Sequence, residues 1–379
     1  MASDRISKLP DSILSRILSW LPIKDAVSTS ILSTRWRYLF VSMLNLDVDL
    51  HIFRRSPPHT IKSFTNFVDK MLFVHTQGRI ELFQLNYINV SGIDASRVCG
   101  WICAALWRGV KDLDLGFARE SNNIPVLPTA LLFTEKTLVR LKLLIPYVMT
   151  VPAHVCLPTL KTLVLGSVVF EDDESVKRLI SSCPVLEHLS ISYCDMGNIK
   201  CLNISNPSLK SLTLVFDYNR IHLTFGIVID LPCLVDFRYI GCAAESYSMG
   251  NMPSLVTADI DLSFERFPIP SEGVGFVKVF EGIGNVKSLH LTIDLEAVWF
   301  PTEKVPSCVV DQLKEFEVIH FDDDSSLFKM VTYILKNATV LENLTVNSSR
   351  VLNAEEQLKI TKKLLSLPRS STKCQVIAF

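Results

Sequence analysis

Through the middle of the chain one arrangement of apolar positions recurs: apolar, two free positions, apolar, one free position, apolar. It reads Ile80-Phe83-Leu85, Val110-Leu113-Leu115, Leu138-Leu141-Leu143, Leu160-Leu163-Leu165, Leu186-Leu189-Ile191, Leu209-Leu212-Leu214 and Leu234-Phe237-Tyr239. A weak copy, Leu255-Ala258-Ile260, precedes Val286-Leu289-Leu291, Leu313-Phe316-Val318 and Leu341-Leu344-Val346. These copies, about eleven in all, follow one another at roughly 21 to 31 residues, the period of a repeat array. The last two apolar positions of a copy lie two apart, so they point to one side of a β-strand. That side predicts the interior, and the free positions predict an exposed strand face. No single repeat buries its apolar side alone, but stacked neighbours do.

A second regularity supports the array. "LPTLKTL", "CPVLEHL", "NPSLKSL", "LPCLVDF" and "MPSLVTA" each place a proline (Pro158, Pro184, Pro207, Pro232, Pro253) two residues ahead of the copy's first apolar position. Proline lacks an N–H and ends a preceding helix, so it marks the corner into the strand. Short helices are expected between strands, as in "DDESVKRLISSCP", with Asp172 or Asp173 as cap and Pro184 as stop. The copies are degenerate, which predicts irregular far sides and uneven loops. Towards the carboxy end, "SSLFKMVTYILKNATVLENLTV" reads as an amphipathic helix with Phe328, Val331, Ile334 and Leu335 on one side, then a strand. "AEEQLKITKKLLSLPRSSTKCQVIAF" repeats that design, with Pro368 as the stop and a terminal strand at Gln375–Phe379. Such a unit covers the open end of an array.

The first forty residues follow another period. Behind Asp11, the residues Ile13, Leu14, Ile17, Leu18, Trp20 and Leu21 spread over about half a helical circumference. One packing partner needs a stripe of roughly 100°. The wider face predicts two partners, one of them outside the chain. Pro22 ends this helix. "IKDAVSTSILSTRWRYLF" then offers Asp25 as a cap, Ala26 and Val27, and a further helix carrying Ile31, Leu32, Trp36, Leu39 and Phe40. A bundle of this size is too small to be stable alone.

Composition narrows the function classes. The chain has 379 residues, 48% of them hydrophobic, and a formal net charge of −1. A near-neutral chain has no electrostatic footprint for nucleic acid or an anionic membrane. The start, MASDRISKLPD, lacks the apolar core of a signal peptide, and no apolar stretch is long enough to span a bilayer. The ten cysteines lack zinc-site spacing, which predicts buried thiols, and no metal or cofactor is expected. The acidic runs Glu171–Glu174 and Asp322–Asp324 read as caps or solvated loops. No nucleophile elbow, phosphate loop or zinc-protease motif is present, and "EGVGFVKV" and "EGIGNVKSL" read as turns before strands. The chain is therefore not expected to be an enzyme.

The stretch "LPDSILSRILSWLPIKDAVSTSILSTRWRYLF" resembles an F-box of the plant type, from Leu9, Pro10 and Asp11 through the Leu21-Pro22 break to Ser30–Arg37. The middle resembles the leucine-rich repeats that follow many plant F-boxes, although Cys194 and Cys242 are among the few copies with the usual loop residue. The carboxy end is similar to the FBD domain of that family. The resemblance implies an α/β chain in three parts. These are a helical F-box of three short helices (1–45), a degenerate leucine-rich-repeat solenoid, or horseshoe (46–320), and an FBD-type capping unit (321–379). It implies a substrate adaptor of a cullin-based ubiquitin ligase, non-catalytic itself. No dense basic run marks a nuclear import signal, so the expected location is the cytoplasm, the nucleus or both. The residues facing a Skp-family linker protein would be Leu9, Pro10, Ile13, Leu14, Ile17, Leu18, Leu21, Pro22, Val27 and Trp36. A cullin would follow through the linker. The alternative is a repeat scaffold that binds partners without promoting ubiquitin transfer.

A target protein would meet the free positions of the strands. Early copies lean basic and late ones acidic, so Arg140, Lys142, Lys161 and Lys210, with His188 and Arg238 on the same face, are the candidates for an acidic patch on the target.

Overall fold

Every apolar triplet read from the sequence ends in a strand. The structure, a computed structural model, describes residues 6, 8–41, 43–49, 60–74, 79–87, 94–117, 127–216, 223–241, 244–262, 282–293, 305–321, 325–348 and 353–378. Of the sequence features above, Asp322–Asp324, "EGVGFVKV" and Cys242 lie outside these residues. The chain divides into two units, Met1–Val169 and Phe170–Phe379.

The first unit opens with helices α1 (Asp11–Leu18) and α2 (Ile23–Ser28), a 3₁₀ turn at Thr29–Ile31, and α3 (Thr34–Val41). It continues through β1 (Asn45–Asp49), α4 (Thr60–Val74), β2 (Leu82–Tyr87), α5 (Ala95–Leu106), β3 (Asp112–Phe117) and α6 (Thr129–Leu132). Then come β4 (Arg140–Leu144), the two-residue β5 (Val148–Met149) and β6 (Thr162–Gly166). Strands β1, β2, β3, β4 and β6 pair in that order, all parallel. Leu46, Phe83, Leu113, Leu141 and Leu163 share one register position and are buried. Each such side chain contributes roughly 1.5–3 kcal/mol relative to exposure. Behind the strands, Asp69 on α4 accepts a hydrogen bond from Trp101 Nε1 on α5 at 2.7 Å, and Trp101 meets Phe64 edge-on. Gly109 adopts φ +67° just after α5, a left-handed turn that favours glycine and redirects the chain into β3.

The second unit comprises β7 (Val169–Phe170, at the junction), α7 (Asp173–Ser181), β8 (His188–Ser192), β9 (Cys201–Ser205), β10 (Ser211–Val215) and β11 (Leu223–Asp230). After these come β12 (Asp236–Ile240), β13 (Ala244–Met249), β14 (Thr257–Leu262), β15 (Ser288–Ile293), α8 (Ser307–Asp311) and β16 (Glu315–Phe321). It closes with α9 (Ser325–Asn337), β17 (Asn343–Ser348), α10 (Ala354–Leu365) and β18 (Gln375–Ala378). The ladder β8-β10-β12-β14-β15-β16-β17-β18 is parallel throughout.

Its far side differs from the expected helices. Between β8 and β14 the intervals hold β9, β11 and β13, which form a second parallel sheet. Alternation explains it: Leu202 and Ile204, then Phe225, Ile227 and Ile229, are buried at period two. Phe216–Phe225 and Tyr239–Tyr247 ring contacts join this sheet to the main ladder.

The prolines occupy the second position of tight turns. The N–H groups of Leu160, Leu186, Leu234 and Leu255 bond back to the carbonyls of Leu157, Cys183, Leu231 and Met252. At Pro207 the Asn206 side chain replaces that bond, accepting from Ser208 N–H at 3.0 Å. Hydroxyls just ahead of the strands staple consecutive repeats: Thr137 to Val110, Thr159 to Leu138, Ser208 to Leu186 and Ser371 to Leu341, each onto a carbonyl. Phe328, Val331, Ile334 and Leu335 are buried, as the amphipathic pattern of α9 requires. No described helix is long and apolar enough to cross a membrane.

Candidate partner-binding surfaces

The bundle α1–α3 splits its apolar residues between two tasks. Leu14 and Leu18 on α1 are fully buried, together with Ile23, Ala26, Trp36, Leu39 and Phe40. Leu14, Leu18 and Trp36, placed on the linker-facing side by the resemblance, thus form the bundle's own core. Their i, i+4 spacing puts both leucines on the stripe facing α3. Leu9, Ile17 and Val27 are half-buried, and Pro10 and Pro22 are exposed. Ile13 is 46% exposed and Leu21 39%. The α1 helix ends at Leu18 rather than at Pro22, because Leu21 precedes a proline and the Ser19 hydroxyl bonds the Arg16 carbonyl at 2.8 Å. Trp20 and Leu21 therefore project from a turn, with the Arg16 guanidinium 5.9 Å from the Trp20 ring centre. Ile31 and Leu32 stand bare in the 3₁₀ turn and just after it, instead of on a helix. Asp25 does not cap α2, which begins at Ile23; it sits in the first turn, where its charge still favours the helix dipole. Arg35 ties the start of α1 to α3, donating from Nε to Asp11 Oδ1 at 2.7 Å and from Nη2 to the Leu9 carbonyl at 2.5 Å.

The outward strand faces are charged, and register decides their pairing. In the first unit Lys142 is half-buried and bound to Asp114 at 3.0 Å, while Arg140 and Lys161 are exposed. In the second unit Lys210 pairs with Glu187 at 3.5 Å and Arg238 with Asp259 at 3.0 Å; His188 is exposed. Lys142, Lys210 and Arg238 each have an acidic neighbour in the adjoining repeat. Further along, His290 Nδ1 lies 2.6 Å from Glu317 Oε2, and Lys314 Nζ lies 2.8 Å from Glu342 Oε1. The Lys314–Glu342 contact raises the lysine's pKa and lowers the carboxyl's, chiefly through their hydrogen bond. Among the described residues no group of three or more His, Cys, Asp or Glu side chains is placed to hold a metal ion. Cys183, Cys194, Cys308 and Cys374 are buried, whereas Cys156 and Cys233 are exposed.

Three family models match the chain: F-box domain over residues 6–47, "FBD-associated F-box protein At5g56370, LRR repeats" over 98–257, and FBD over 301–346. F-box/LRR-repeat protein At2g42730 of Arabidopsis thaliana is 34% identical over 362 residues, covering 90% of this chain and 76% of that protein. The chain belongs to the plant F-box/FBD/LRR-repeat family. FBD-associated F-box protein At4g10400, also of Arabidopsis thaliana, is 32% identical over 413 residues, covering 97% of this chain and 98% of that protein. F-box, repeats and FBD follow one another in the order the sequence suggested. An F-box joined to leucine-rich repeats is, in general, the make-up of a ubiquitin-ligase substrate adaptor, and none of the three matched models is a catalytic domain. Two features of this family member were not read from the sequence: the strand β1, and the role of Arg35 as the clamp of the F-box bundle. Met43-Leu46-Val48 carries the repeat spacing and was the available signal for β1.

Proposed function

We propose that this F-box/FBD/LRR-repeat protein is the target-recognition subunit of a Skp–cullin–F-box ubiquitin ligase. The F-box docks on a Skp-family linker protein and through it joins a cullin. The repeat strands hold the target protein. The reading fits work in the cytoplasm, the nucleus or both.

One observation supports it most. Large apolar side chains are left bare where the F-box fold does not need them: Ile13, Trp20, Leu21, Ile31 and Leu32. Large apolar side chains exposed in such number within twenty residues support an interaction site there. Anchors carried by a short helix and the turns after it suit recognition in a partner's apolar groove. The half-buried Leu9, Ile17 and Val27 and the exposed Pro10 and Pro22 remain available to the same linker. The buried Leu14, Leu18 and Trp36 hold the bundle in shape.

The experiment is co-purification of a tagged full chain. Wild type brings down both a Skp-type linker and a cullin. Recovery of the linker without the cullin would favour the scaffold reading, and recovery of neither would refute the adaptor reading.

A further inference from the structure

We infer that the free edge of β18 takes up an extended segment of a partner protein as a further strand of the ladder, whatever the F-box itself engages. The segment it fits alternates apolar and acidic side chains.

The last rung of the ladder is incomplete on one side. Within the second unit, β10, β12, β14, β15, β16 and β17 each lie between two strands. Among the described residues β18 pairs with β17 alone. Gln375 N–H bonds toward β17, onto the Glu342 carbonyl at 2.8 Å. Backbone groups alternate along a strand, so the N–H and C=O of Val376 and the N–H of Ala378 point to the free edge. An end rung can be closed from within the chain: α2 packs against β1, whose inward Leu46 and Val48 are fully buried. At β18 the inward Val376 and Ala378 are only half-buried, whereas Leu344 and Val346 at the same register positions of β17 are fully buried. An edge left in this condition is a template for pairing with another chain.

Helix α10 adds an apolar flank. Its Ile360 and Leu364 are buried, and Lys363 Nζ lies 3.7 Å from the ring centre of Phe328 on α9. At about 100° per residue, Leu358 and Leu365 fall roughly 140° and 160° round the helix from Lys363. They therefore lie on the side of α10 turned away from α9, where a following repeat would stack. Leu358 is 54% exposed and Leu365 51%. On the outward side of β18, Ile377 is exposed as well.

Charge chooses the occupant. From Asn353 to Ala378 the chain carries Lys359, Lys362, Lys363, Arg369 and Lys373 against Glu355 and Glu356, although its overall formal charge is −1. Arg369 ties the end of α10 to the start of β18, donating from Nη2 to the Leu365 carbonyl at 3.3 Å and from Nη1 to the Cys374 carbonyl at 3.0 Å. The exposed Lys362 lies in the last turn of α10, and the exposed Lys373 lies just ahead of β18. A second copy would bring the same excess of cations to this edge and be repelled. An acidic segment meets it with opposite charge. Its apolar side chains cover Val376, Leu358 and Leu365, and its backbone pairs with the free groups of β18, as in strand addition.

The test uses the purified full chain and fluorescein-labelled short peptides, one alternating Val and Glu, the other Val and Lys. The Val–Glu peptide is expected to bind and the Val–Lys peptide not. Methylating alternate amide nitrogens of the Val–Glu peptide keeps its charge and side chains. Of the two alternate sets, the one facing β18 should abolish binding when methylated and the other should not. Leu358→Ser with Leu365→Ser should weaken the Val–Glu peptide about tenfold or more, apolar cover being lost. Circular dichroism of that variant should match wild type, because both side chains are already more than half exposed. Equal binding of the two peptides, binding of neither, or binding indifferent to methylation of either set would overturn the proposal. So would dimerisation of the chain alone in sedimentation, lost in the serine variant, which would put a second copy on this edge. The serine variant should still recover the linker, so failure of the peptide to bind leaves the F-box reading standing, and loss of the linker from wild type leaves the strand edge standing.

Discussion

Asp172 and Asp173 sit side by side and serve different partners. Asp172 Oδ1 caps α7, accepting from Ser175 N–H at 2.7 Å. Asp173 reaches across to the start of β9 and accepts from Lys200 N–H at 2.8 Å and Cys201 N–H at 3.2 Å. Replacing Asp172 by Ala should lower stability by about 1 kcal/mol, measured by urea unfolding. Bonds from Ser175 hold the Asp172 carboxyl below its ordinary range. Its stabilising contribution is thus complete above the unfolded-state pKa and disappears as pH falls through the lower folded value. Cysteines divide just as sharply. Burial pushes the Cys308 thiol up to about 11, whereas Cys156 and Cys233 are exposed. Iodoacetamide at neutral pH should modify Cys156 and Cys233 in the native protein and Cys308 only after unfolding; native labelling of Cys308 would contradict its burial. At this scale the sequence offered both aspartates as caps. Choosing between them required β9, whose residues carry no repeat triplet.

Elements were legible wherever the apolar triplet recurred, because its two-residue spacing admits only a strand with one buried side. The triplets from Ile80 to Leu165 became rungs of the first unit's parallel ladder, and those from Leu186 to Val346 rungs of the second unit's. The second sheet was hidden because β9, β11 and β13 alternate over short runs that also fit irregular far sides. Ile227, fully buried in β11, tests that sheet. Ile227→Ala should cost roughly 2–5 kcal/mol in denaturant unfolding, while Val228→Ala, facing the other way and half-buried, should cost less than about 1.5 kcal/mol. Equal losses would refute the alternation. The charged candidates needed register as well as pattern. Lys142, Lys210 and Arg238 were readable as outward-facing from the sequence, but their carboxylate partners lie 21 to 28 residues away in the chain and become neighbours only through strand pairing.

For the molecule as a whole, the order of parts carries the functional argument. An F-box of about forty residues lends its buried leucines to its own fold and keeps Ile13, Trp20, Leu21, Ile31 and Leu32 outside it. The excess apolar width of the first helix was plain from the sequence. Which residues belong to the core and which to the surface was not, because the helix stops at Leu18 and the following turn re-aims Leu21. The most direct measurement is the affinity of the purified chain for a purified Skp-family linker, with thermal unfolding recorded on the same samples. Ile13→Asp combined with Leu21→Asp should abolish linker binding and leave the melting temperature within a few degrees of wild type, since surface changes alter stability by about 0.5 kcal/mol or less each. Leu14→Asp, which buries a charge, should disrupt the bundle itself. Undiminished linker binding by the Ile13→Asp, Leu21→Asp chain would contradict the assignment of the F-box surface.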